Sequence, residues 1–113
     1  MKLPNLVGLE GLFDLNRRGV DIRPTLLRVI TDQYLLSQTH TPDEERQFTE
    51  LALRLFGETD ISTRTTVATQ LAPHANTPRP IIQHLARDVL DVAAPVLRLS
   101  PLLTSDDLTA IAA

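Results

Sequence analysis

The segments DISTRTTVATQL and DVLDVAAPVLRL read alike when one is laid over the other. Asp60 is followed eleven positions later by Leu71 and Asp88 eleven positions later by Leu99, so both residues recur at an offset of 28, and Ala68 falls on Val96. Two residues past each leucine stands a proline, Pro73 or Pro101. Recurrence at a fixed spacing restricts the fold more than any single residue does, because a short unit cannot bury its apolar side alone and like units must stack to do so. The unit is helical: apolar residues recur at intervals of three and four along the chain, without the alternation that a half-buried strand requires.

Helix starts recur as well. Leu26, Leu27, Ile30, Tyr34 and Leu35 mark a helix opened by Pro24 and ending near Ser37. In Thr41-Pro42-Asp43-Glu44 the threonine hydroxyl is placed to accept a first-turn N–H and Glu44 to reach back to the Thr41 N–H, a capping box. The stripe Phe48, Leu51, Ala52, Leu55 and Phe56 extends that helix over 42–56, with Gly57 as a left-handed terminator. Thr77-Pro78 repeats the Thr-Pro start 36 positions later, and Thr104-Ser105-Asp106-Asp107 repeats the cap signal 27 positions after that. With Pro78 at the first helical position and Pro80 in the first turn, NTPRP begins a helix and does not separate domains. Asp60 and Asp88 are N-cap candidates for helices 61–72 and 89–99, the second carrying Pro95 in its interior, which bends it so that one repeat curves around the next. Two helix types thus alternate in units of about 30 residues, 41–72 and 77–100, with a helix before and the start of another unit after. The expected fold is all-α with about six helices.

The spacing D-x-x-x-R with a leucine seven positions further, here Asp60, Arg64 and Leu71, resembles the second helix of HEAT and armadillo-type repeats. The resemblance implies an aspartate–arginine bond between adjacent repeats, though Val92 stands where the second unit would need its arginine. The stretch LARDVLDVAAPVLRLSPLLTSDDL, residues 85–108, is similar to a bacterial family of HEAT-like proteins catalogued as domain of unknown function two-three-three-six. That similarity runs from residue 22 to the end and is most specific at Asp91-Val92-Ala93-Ala94-Pro95-Val96-Leu97. It implies a right-handed α-α superhelix of helix pairs over 22–113 and a longer parent chain, and carries no activity. The final TSDDLTAIAA, with no glycine, basic residue or polar finish, agrees with a fragment.

Composition narrows the function further. Hydrophobic residues are 42% of the chain but aromatics only 4%, with no Trp, so Leu, Ile, Val and Ala must fill the core. Eleven Lys plus Arg against fourteen Asp plus Glu leave a formal charge of -3, the wrong sign for displacing phosphate counterions. Zero Cys excludes a disulfide, a thiolate nucleophile and a cysteine zinc site. The start MKLPNLVGLEGLF is interrupted by Pro4, Gly8, Glu10 and Gly11, so it reads neither as a signal peptide nor as a membrane span, and the cytoplasm is the default location. Segment 5–16, with Leu6, Leu9, Leu12 and Phe13 closed by Asn16-Arg17-Arg18-Gly19, is expected to cap the first repeat helix within an N-terminal segment 1–21.

Candidate chemistry is sparse. With the first-helix stripes aligned, His84 falls where Leu51 and Ile111 sit, which reads as a partly buried structural histidine; four residues on, Asp88 shares its helix face and would make a pH-sensitive contact. His40, His74 and His84 are too dispersed for a metal site. Asp43-Glu44-Glu45 and Asp106-Asp107 belong to first helical turns, where negative charge favours the helix dipole. Ser62, Ser100 and Ser105 lack a nucleophile elbow, and the four glycines form no phosphate cradle. The reading is a non-enzymatic scaffold without a cofactor, holding a protein or peptide between helices 61–72 and 89–99 through Thr63, Thr66, Gln70, Asp91 and Arg98, with His84 nearby. A rival class is a HEAT-like base-excision protein using Arg64, Arg79, Arg87 and Arg98. A third is a module that forms a homodimer or regulates a domain beyond residue 113.

Overall fold

Proline placement decides where several of the helices begin. The computed structural model describes residues 18–112, which form six α-helices and no strand. They are α1 (Arg23–Leu36), α2 (Pro42–Phe56), α3 (Ile61–Leu71), α4 (Arg79–Ala86), α5 (Leu90–Leu99) and α6 (Ser105–Ala112). Pro24, Pro42 and Pro80 all lie in a first turn, where the missing N–H has no intrahelical partner to lose. The all-α expectation therefore holds, and α2 has the bounds its stripe predicts. The expected capping segment at 5–16 lies outside the described residues. Among the described residues no helix is long and apolar enough to cross a membrane. The chain divides into two compact units between Asp60 and Ile61, a division that falls within the repeat 41–72.

In the first unit α1 packs against α2. Gly19, with φ of 85°, turns the chain ahead of α1, a backbone angle that favours glycine. Leu27, Ile30 and Tyr34 of α1 are buried, as are Phe48, Ala52, Leu55 and Phe56 of α2, each set at the three–four spacing of one helix side. The buried Thr31 hydroxyl is satisfied by the Leu27 carbonyl at 2.8 Å. At the head of α2 the Thr41 hydroxyl accepts the Glu44 N–H at 3.2 Å, while the Glu44 carboxylate lies 3.3 Å from His40 Nδ1. The other end of α2 departs from expectation: Gly57 has φ of -72°, a right-handed residue. The Glu58 N–H and the buried Thr59 hydroxyl both donate to the Leu55 carbonyl, at 3.0 and 2.9 Å, so backbone and side chain together close the helix end without any left-handed turn.

In the second unit α5 packs against both α3 and α4. Val67, Ala68 and Leu71 of α3, Ile81, Ile82, Leu85 and Ala86 of α4, and Val92, Ala93, Pro95 and Val96 of α5 are buried. Two expected caps are displaced here. Thr77 does not start α4: its buried hydroxyl turns back and donates to the Leu71 carbonyl at 2.9 Å, finishing α3. Pro78 is consequently the N-cap and Arg79 the first helical residue. Likewise Val89, not Asp88, precedes the first turn of α5, because the Asp88 carboxylate is engaged elsewhere. Only Thr104 repeats the Thr41 pattern, accepting the Asp107 N–H at 3.1 Å and returning its own N–H to Asp107 Oδ2 at 3.0 Å, a complete capping box for α6.

Candidate binding face

Two ionic ties, each joining a helix to the next but one, brace the second unit. Arg64, in the first turn of α3, donates from Nε to Asp88 Oδ2 at 2.9 Å and from Nη2 to Oδ1 at 3.2 Å, a bidentate pair whose side chains are 16% and 12% exposed. Asp88 lies just ahead of α5 and also accepts the Val89 N–H at 2.7 Å. Partial burial pushes its carboxyl up, but the Arg64 and Val89 hydrogen bonds and the Arg64 and His84 charges outweigh that and hold it below the ordinary carboxylate value. Arg79, the first residue of α4, donates from Nη2 to Asp107 Oδ2 of α6 at 2.7 Å, and Gln83 Nε2 reaches Asp107 Oδ1 at 3.3 Å. The Thr104 backbone N–H leads in holding the Asp107 carboxyl down; burial opposes it, and the Thr104 hydroxyl, Gln83 and Arg79 add to it.

The buried residues of α3 and α5 fix which sides of these helices remain for a ligand. On α3 the outward residues are polar: Thr66 and Thr69 are exposed, Thr63 and Gln70 half-buried. The Thr66 hydroxyl donates to the Ser62 carbonyl at 3.1 Å and Thr69 to Thr65 at 2.8 Å. On α5 the expected pair Asp91 and Arg98 is exposed, and Arg98 Nε rests 3.4 Å from the Ala94 carbonyl of its own helix. Beside them runs an apolar stripe that the sequence reading did not single out, made of Leu90, 75% exposed, half-buried Ala94 and Leu97, 37% exposed. A signal for it was present, since Leu90 and Leu97 are seven apart and cannot share the side taken by Val92 and Val96.

His84 does not occupy a core position. It is exposed, because the buried side of α4 is taken by Ile81, Ile82, Leu85 and Ala86. Leu51, the residue it was aligned with, is itself only half-buried. Asp88, its expected contact, is hydrogen-bonded by Arg64 and feels the His84 charge in addition. Two arginines of the rival basic groove, Arg64 and Arg79, are bound to carboxylates, while Arg87 and Arg98 are exposed. A shallow concavity on α2, lined by Gln47, Glu50, Leu51 and Arg54, brings together no group that aids catalysis beyond one acid and one base. Among the described residues no three His, Asp or Glu side chains converge as metal ligands would. Set against protein-family models, curated proteins and solved structures, the chain finds no match.

Proposed function

We propose that the chain is a HEAT-like helical-repeat scaffold, of the kind its resemblance to the bacterial family implies, that binds a protein or peptide on the outward sides of α3 and α5 and performs no chemistry of its own. The observation that carries this reading is the pair of skipping ties, Arg64 of α3 to Asp88 ahead of α5 and Arg79 of α4 to Asp107 of α6. Each tie runs from a helix to the next of its own type or to the residue just ahead of it, the spacing of contacts expected in a stack of helix pairs. The exposed sides suit a protein neighbour. Hydroxyls that already donate to their own helix can be covered without stranding a donor, and the leucine stripe of α5 offers apolar area rimmed by one acid and one base. The test is capture from the extract of the chain's own cells, comparing the wild type with Thr66→Arg and Leu90→Glu. A protein retained by the wild type and lost from both variants is the expected result. Retention of nothing, or equal retention by all three, overturns the reading.

A further inference from the structure

The outward side of α5 has a symmetry that selects its occupant. At 100° per residue Leu90, Ala94 and Leu97 form one stripe on the far side of the helix from the buried Val92 and Val96, and Asp91 and Arg98, seven residues apart, lie along the same flank of it. We propose that this face pairs with a second copy of the chain, α5 against α5 in antiparallel sense about a two-fold axis. This rests on the reading of the α3 and α5 sides as a protein-binding face and names the partner for the α5 part of it.

The geometry follows from the spacing. When two identical helices run antiparallel, the same flank of each meets the same flank of the other, and positions near the two ends exchange. Leu90 then packs on the partner's Leu97, and Leu97 on the partner's Leu90. Ala94, near the crossing, is small enough to let the backbones approach. Asp91 faces the partner's Arg98, and Arg98 faces the partner's Asp91, so two ion pairs close along one edge. In a parallel pairing the two Asp91–Arg98 flanks fall on opposite edges of the pair, so neither charge meets its opposite and both ion pairs are lost. Self-association further covers Leu90, the most exposed apolar side chain of α5, which on an isolated chain stays in water. A single three-turn face covers less than the roughly 800 Å² per partner of a standard stable interface, so the dimer is weak and follows protein concentration.

Sedimentation velocity of the full chain over a concentration series tests the pairing, with circular dichroism of each variant as the check on folding. The wild type is expected to move from monomer to dimer as concentration rises. Asp91→Arg alone and Arg98→Asp alone each weaken dimerisation by about tenfold or more, since like charges then face each other at two places. The double exchange D91R/R98D restores it, because opposite charges meet again in the antiparallel arrangement. A folded wild type that remains monomeric throughout overturns the proposal, as does a double exchange no better than either single variant. If the wild type is monomeric while Leu90→Glu still abolishes capture of another protein, self-pairing is wrong and the binding face stands; if capture fails too, both readings fall together.

Discussion

Tyr34 is the residue whose surroundings are most sharply defined. Its ring stacks on His40 at 3.7 Å between centroids and on Phe48 at 4.1 Å, with interplanar angles of 12° and 11°. Burial, and after it the negative charges of Glu45 and Glu44, push its hydroxyl up to about 12 from an ordinary 10.0. A raised value means that the folded chain keeps the proton longer than the unfolded chain. The stabilising contribution is therefore complete below pH 10.0 and is lost as pH rises through about 12. The chain has one Tyr and no Trp, so phenolate absorbance reports this group alone. Titration of the native protein is expected to give a midpoint near 12, against 10.0 in denaturant; a native midpoint at the ordinary value contradicts the buried stack. Thr77 offers a second single-residue test. Thr77→Val keeps the shape but removes the shorter of the two hydrogen bonds to the Leu71 carbonyl, leaving the His74 N–H at 3.2 Å, with an expected loss of about 1 kcal/mol in urea unfolding.

Among the helices, the tie from α3 to the head of α5 carries the sharpest expectation. Removing one member strands a partly buried charge, so Arg64→Met is expected to lower stability by about 2 kcal/mol near neutral pH. Because the Asp88 value is depressed in the folded state, its contribution is present above the ordinary 3.8 and lost as pH falls through the lower folded value. Urea midpoints of the wild type and Arg64→Met should differ at pH 7 and converge in strong acid; a constant gap assigns the loss to packing of the arginine stem. This bond also marks how far the sequence was legible. Helix positions and the recurring aspartates could be read from apolar spacing and proline, since both act locally. The cap residues could not be assigned as reliably: Thr77 and Asp88 have the right chemistry for N-caps, but the Thr77 hydroxyl turns back to donate to the Leu71 carbonyl of the preceding helix, and Arg64, far off in sequence, takes the Asp88 carboxylate. His84 and Leu90 were misjudged or passed over because a helix of eight or ten residues leaves little periodicity from which to choose its buried side. The Thr104 cap was legible because its partner, Asp107, is three residues away.

Taken as a whole, the molecule pairs an acidic balance of -3 with arginines already committed to carboxylates at Arg64 and Arg79. Labelled duplex DNA is therefore expected to show no retention that strengthens as salt is lowered; a clear salt-dependent shift in gel mobility favours the base-excision rival. The aromatic stack has a further use on this scale. The chain's sole strong fluorophore lies in the unit before Asp60, and α3 to α6 contain none. Ultraviolet emission during heating thus follows one half of the chain, whereas ellipticity counts the helices of both. Overlaying the two melting curves reads out whether the halves lose structure as one cooperative body or in succession, with no label attached.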